Sequence, residues 1–292
     1  MPEPNPSPTP RRAALLVNPT AGSAPGDGDG VDALMNALSE AGFALVAPPR
    51  IDLPLDAQCD AALQADPEVI FTLGGDGSLR GIAERLAGSD VVLGVLPGGT
   101  MNRLAARLDL PGDPVAAIRR LATAEVVPLP TGRLNGRLFL YQCLAGRSSR
   151  LVRFREMQRS AGRLGWLLLI VAALRMAARP PRRALRLHGT DETIRADAIV
   201  VTMPRPDEPA EFQVDAVRRG SRLTGLRQAW RWIRGKLAQD PDVVALARPS
   251  LVVIGRDAGI RVTLDGEQEL MRPPLRFRLQ PGGLRVLRPR RA

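Results

Sequence analysis

The sequence predicts an α/β protein: an N-terminal doubly wound α/β domain followed by a C-terminal antiparallel β-sandwich. Three observations carry this. Over residues 12–130, short apolar runs that close in glycine or asparagine turns alternate with segments of helical spacing, the rhythm of a parallel sheet with helices on both faces. Beyond Pro130 the rhythm changes to short strand-like runs separated by turn residues, which suits a sandwich. Finally, 292 residues of which 45% are hydrophobic are enough for two domains with their own cores. The organisation read from this is a disordered Pro-rich arm over 1–11, the α/β domain over 12–130 and the sandwich over 131–292, with the last strand free to return toward the first domain.

In chain order, the start MPEPNPSPTPRR has no apolar h-region, so it is not read as a targeting signal. Arg12 to Val17 forms the first strand, the glycine-rich Gly22 to Gly30 a loop, and Val31 to Ala41 a helix that Gly42 ends. Phe43 to Ala47 is the second strand and Asp56 to Ala65 the second helix. Val69 begins a third strand, bounded by Pro67 and Gly74. Helical spacing then follows at Leu79, Ile82, Ala83 and Leu86. Val91 to Leu96 is a fourth strand, closed by Pro97, Gly98 and Gly99 before another helix-like segment. Pro111 and Pro114 open a helix through Leu121, and Ala124 to Pro130 leaves the layer.

In the second half, Arg133 to Leu144 reads as a hairpin about the Asn135-Gly136 turn. Strand-like runs recur at Ala184 to Leu187, Ile194 to Thr202, Phe212 to Val217, Ser250 to Ile254, Ile260 to Leu264, Leu275 to Leu279 and Leu284 to Leu287. The most apolar stretch, Leu164 to Leu174, is flanked by Arg163, Arg175, Arg179, Arg182 and Arg183. It is too short for the roughly 20 residues that span a bilayer. Two readings stay open for it: a helix buried under the sandwich, which is the simpler, or a helix resting at an anionic surface. Trp230 and Trp232, among Arg227, Arg231, Arg234 and Lys236, pose the same choice. The lone His188 has no metal-ligand partner in the sequence and takes no role.

Net charge is +11 with a pI near 11.3, nearly all of it arginine, since Lys236 is the only lysine. Such a chain suits nucleic acid, an anionic membrane surface or phosphorylated substrates. With only 3% aromatic residues and no stacking pattern, a nucleic-acid partner is not expected. Cys59 and Cys143 are too few for a disulfide framework, so a reducing compartment and structural thiols are expected.

The chemistry concentrates in the glycine turns. Gly74, Gly75 and Gly77 let backbone N–H groups approach an anion without Cβ clashes, and the helix that follows points its positive end at the same place. Phosphate is the expected guest. Asp76 would repel a bare phosphate unless Mg2+ lies between them or the carboxylate positions another group. In the second turn, Gly98 and Gly99 are followed by the Thr100 hydroxyl and the Asn102 amide. Two such turns at the carboxyl ends of nearby strands make a crevice. Asn18 can bond its own turn, and Thr20 and Gly22 are further candidates for nucleotide contact.

Four motifs, NPTAG (Asn18 to Gly22), GGDGS (Gly74 to Ser78), PGGTMN (Pro97 to Asn102) and LDGE (Leu264 to Glu267), resemble in order and spacing the diacylglycerol kinase catalytic-domain family. These are bacterial lipid kinases that are also similar to sphingosine kinases and, more distantly, to NAD kinases and phosphofructokinases. The resemblance implies an active site in the cleft between the two domains and transfer of the γ-phosphoryl group of ATP, with Mg2+, to a hydroxyl of diacylglycerol or a similar long-chain lipid. It implies a cytoplasmic enzyme of phospholipid biosynthesis, peripheral at the inner, anionic membrane face; a homodimer is left open. Carried over residue by residue, Glu267 is the general base and Asp265 a helper for turn geometry or metal. Asp76, also placed in the catalytic set, binds Mg2+. Asn18, Thr20, Gly22, Gly74, Gly75, Asp76, Gly77, Ser78, Gly99, Thr100 and Asn102 line the nucleotide.

The chain departs from the family pattern at several points. Pro48, Pro49 and Arg50 stand where a nucleotide-contacting threonine is common. Ser78 replaces a threonine and keeps its hydroxyl, while Arg103 stands where an aspartate usually follows Asn102. Glu211 and Asp215 occupy the places of two acids of a structural Mg2+ site, but Phe212 takes a glycine position between them. Two other readings follow: a kinase of a soluble substrate, or a nucleotide-binding regulator without turnover.

Overall fold

The computed structural model describes residues 11–19, 28–146, 185–188, 193–218, 239–255 and 258–290, together with 224, 227, 228 and 231. The arm over 1–10, Thr20, Gly22, the Leu164 to Leu174 stretch, Trp230 and Trp232 lie outside them. The chain forms two compact units, one of residues 1–129 and 281–292 and the other of 130–280.

In the first unit the elements are β1 (Arg11–Val17), α1 (Gly28–Glu40), β2 (Phe43–Leu45), α2 (Leu55–Gln64), β3 (Val69–Gly74), α3 (Asp76–Leu86), β4 (Val92–Pro97), α4 (Arg103–Arg107) and α5 (Pro114–Leu121). The strands form a parallel sheet in the order β4-β3-β1-β2. Every residue of β3, VIFTLG, and of β4, VLGVLP, is buried. Continuous apolar runs like these mark strands covered on both faces. Accordingly α1 packs on α5, and α2 packs on α3.

α5 shows how the local sequence sets a boundary. Asp113 caps it, accepting from Ala116 N at 2.7 Å, with Pro114 in the first turn, while Ala117, Ile118 and Leu121 form its buried face. α1 begins at Gly28, three residues before the expected Val31, so the Gly22 to Gly30 loop is shorter than composition suggests.

The second unit is antiparallel. Its elements are β5 (Ala124–Leu134, crossing from the first unit), β6 (Arg137–Phe139), β7 (Gln142–Gly146), β8 (Leu185–His188), β9 (Ile194–Thr202) and β10 (Phe212–Arg218). They continue with β11 (Val243–Arg248), β12 (Ser250–Ile254), β13 (Ile260–Leu264), β14 (Glu267–Met271) and β15 (Leu275–Pro289). β9 is the hub: β10 runs along one of its edges, and β7 and β8 divide the other. Phe139, Phe212 and Phe277 meet in the core, with ring centroids 5.8 to 6.4 Å apart. The Phe212 ring thus belongs to the core, which accounts for a large side chain where the resemblance calls for glycine.

Three expectations are corrected. Asn135-Gly136 is the predicted hairpin turn, with φ of 48° and 89°, but it joins β5 to β6, while β7 pairs with β9 and β13. β11 and β14 are strands that the sequence did not suggest. The two expected strands at 275–279 and 284–287 are one, β15, which pairs with β12 at 275–278 and beside β4 at Arg285 and Val286. Among the described residues no helix is long and apolar enough to cross a membrane.

Candidate active site

Parallel pairing of β3 with β4 sets Gly74 opposite Pro97, so the two glycine turns leave the sheet side by side. They press backbone to backbone. Gly98 N donates to Gly74 O at 3.0 Å, and a Cβ on Gly99 would lie 2.6 Å from the Gly75 Cα. A Cβ on Gly74 would lie 2.6 Å from Cβ of Ser78, so these positions are closed to side chains by packing.

Side chains then lock the turns together. Asn18 Nδ2 donates to Ser78 Oγ at 2.7 Å, and Asn18 N donates to Leu73 O at 3.0 Å, which ties the end of β1 to the first glycine turn. Asp76 Oδ1 accepts from Leu104 N at 3.2 Å, joining that turn to the start of α4. Asn102 holds left-handed backbone, φ 46°, and its Oδ1 accepts from Gly99 N at 2.8 Å. Asparagine tolerates that conformation through such local bonds. Three of the four motifs are therefore one bonded unit.

Gln58 was not flagged by the sequence. Buried on α2, it accepts from Val17 N at 3.0 Å and donates to Val17 O and Leu53 O at 2.9 Å each. It pairs with both backbone groups of the residue before Asn18, as a neighbouring strand would. A lone glutamine in a helical pattern gives no sign of this.

The local chemistry suits a phosphate. α3 follows Gly75, an N-cap with no side chain to accept from the helix's first N–H groups. Thr100 is exposed beside them, and Gly77 is half-buried. Burial pushes the Asp76 carboxyl above its usual range, against the opposing effects of the Leu104 N–H and the Arg103 charge. One carboxylate beside a phosphate cradle fits Mg2+, which commonly takes one or two carboxylates plus substrate phosphates. Among the described residues no three His, Cys, Asp or Glu side chains form a metal cluster. Glu211 is exposed and Asp215, four residues on, has its carboxyl raised by burial.

In the second unit, Asp265 and Gly266 are a two-residue turn between β13 and β14, with φ of 49° and 107°. Asp265 is 8% exposed and its carboxylate accepts three successive backbone N–H groups: Leu140 at 2.7 Å, Tyr141 at 2.8 Å and Gln142 at 2.9 Å. It clamps the β6–β7 connection to this turn. Glu267 follows as the first residue of β14, exposed. Cys143, on the clamped strand, is fully buried, and burial pushes its thiol well up.

Residues 12–134 match the model of the diacylglycerol kinase catalytic domain. Over that stretch the chain is similar to this family. The match takes in Asn18, the first glycine turn and the second, all of the interlocked unit. A stretch of 145 residues is 30% identical to a Klebsiella pneumoniae protein named "Probable lipid kinase YegS-like", covering 49% of this chain and 48% of the relative. A Staphylococcus saprophyticus diacylglycerol kinase is 26% identical over 209 residues, covering 70% of this chain and 67% of the relative. The chain thus spans about half the length of the first and about two thirds of the second. The solved structure of a diacylglycerol kinase from Bacillus anthracis matches with a TM-score of 0.69 at 17% identity, covering 96% of this chain and 97% of that one. At that identity the likeness speaks for the fold.

Proposed function

We propose that the protein is a lipid kinase that moves the γ-phosphoryl group of ATP to a hydroxyl of diacylglycerol or a similar long-chain lipid. The bonded unit of Asn18, Ser78, Asp76 and Leu104 within the family-matched stretch carries this reading. ATP supplies the phosphoryl group, and Mg2+, when bound, would offset the negative charge of the phosphates. The uncapped N–H groups at the start of α3 receive phosphate oxygens, with Thr100 at the rim. Asp76 offers its carboxylate to the metal. Glu267, exposed at the head of β14, takes the proton from the acceptor hydroxyl, which is a poor nucleophile near neutral pH. Asp265 keeps Glu267 in place by fixing the turn before it. The acceptor lies in an anionic membrane, where a peripheral protein of net charge +11 is drawn by electrostatics.

The test is transfer of labelled γ-phosphate from ATP to lipids extracted from the native membrane. A labelled lipid formed by the wild type and absent with Asp76→Ala is expected. Absence of any labelled lipid would overturn the reading. One observation favours a second reading, a nucleotide-binding regulator. Arg103, in place of the family's aspartate, lies close enough to Asp76 to act on its carboxylate. Tight ATP binding without transfer to any lipid would mark that case.

A further inference from the structure

We propose that the outward face of the β9–β8–β12–β15 layer is a docking surface for an anionic lipid bilayer. Register fixes which side chains share this face. Arg195 pairs with Arg186, and Arg186 with Ile254. One step along the strands, Val252 pairs with Arg276, and Arg278 follows two residues later. Residues directly opposite on neighbouring strands point to the same side of a sheet, and residues two apart keep it. The intervening residues Leu251, Val253, Leu275, Phe277, Leu185 and Leu187 are all buried in the core, so the arginine face is the outer one.

The face has two properties that a bilayer matches. Arg195, Arg276 and Arg278 are exposed, Arg186 is half-buried, and none of the four forms an ion pair among the described residues. In their midst lies apolar surface: Ile254 is 41% exposed, and Val252 beside it is partly open. A structural role would leave arginines on a sheet paired with acids or scattered. Four guanidiniums without an acid partner among the described residues, around an aliphatic patch, instead complement phosphate headgroups above an acyl layer. Arginine also binds phosphate oxygens in a planar, bidentate way. Among polyanions, the choice of a bilayer rests on the lipid-kinase reading and on the aliphatic surface of Ile254 and Val252 among the arginines, which suits an acyl layer rather than a polar nucleic-acid backbone.

The test is co-sedimentation of the full chain with phosphatidylcholine vesicles, with and without phosphatidylglycerol, at physiological salt. Binding that needs phosphatidylglycerol is expected. Arg276→Glu with Arg278→Glu should weaken it about ten-fold or more, whereas Arg276→Lys with Arg278→Lys should keep most of it. Matched melting curves show that each variant is folded. Transfer to diacylglycerol dispersed in detergent is measured beside it and should be unchanged by the charge reversal. Failure of that transfer in the wild type counts against the kinase reading, while sedimentation still judges the surface. The docking surface is overturned if the charge-reversed protein binds phosphatidylglycerol vesicles like wild type. It is equally overturned if wild type sediments as well without phosphatidylglycerol, or binds duplex DNA as tightly as the vesicles.

Discussion

For Asp76, burial opposes the metal-binding role proposed for it. Its carboxyl is raised by burial, so in the folded protein the charged form that the proposed Mg2+ contact requires is disfavoured. A folded pKa above the unfolded one means that the native state binds the extra proton between the two values. Stability therefore falls as pH rises through that window and stays lower at neutral pH. Asp76→Asn keeps an oxygen for the Leu104 N–H and removes the charge. Its thermal midpoint is expected to equal or exceed that of wild type near neutral pH, with the gap closing below the carboxylate range, while phosphoryl transfer is lost. A midpoint lowered by several degrees would show that the charge itself holds the turn. Asp265 is the reverse case, a carboxylate whose three backbone bonds stabilise the fold. Asp265→Ala should cost about 3 kcal/mol or more in urea unfolding, because buried N–H groups lose their acceptor. Of the candidate site residues, the glycines, Asp76 and Asn18 were visible in the sequence because anion binding and turns demand particular residue types, whereas Glu267 was marked only by the family resemblance. Gln58 stayed hidden because its work is to imitate a strand edge, which any buried amide could do.

At the scale of elements, the two glycine turns stand or fall together. Gly99→Ala drives a methyl group into the Gly75 backbone, 2.6 Å away, and neither turn can yield without shifting the β3–β4 pairing. ATP binding by calorimetry should drop by at least about ten-fold, an effect of 1.4 kcal/mol, well within the cost of overpacking. Gly42→Ala, where a Cβ meets nothing within 4 Å, should leave ATP binding intact and cost only the strain of its positive φ of 83°. The same scale shows where sequence pattern runs out. β3 and β4 were legible as unbroken apolar runs, and Asn135-Gly136 as a turn. β11 has no buried residue, and β14 has one, Met271, so neither carries the alternation that announces a strand. β15 was read as two strands because Pro281, Gly282 and Gly283 look like a break. The chain passes through them with Gly282 in positive φ, and Gly283 O accepts from Gly88 N at 3.2 Å.

For the whole molecule, the change from parallel to antiparallel strands was legible because each type leaves its own rhythm: buried runs between helices, then short strands between turns. Return of the chain end to the first unit pairs β15 with β5 and sets Arg285 and Val286 parallel to β4, contacts distant in sequence that local pattern does not single out. Charge tells less by its total than by its placement, since +11 spread evenly would favour any polyanion. The measurement that bears most directly on the kinase account uses purified protein, ATP with Mg2+, and diacylglycerol in detergent micelles, with the phosphorylated lipid identified by mass. The account predicts that wild type forms it, that Glu267→Gln lowers kcat by about a hundred-fold or more, as expected when a general base is lost, and that ATP affinity stays unchanged. Full turnover by Glu267→Gln, or no phosphorylated lipid from a wild type that binds ATP, would contradict it.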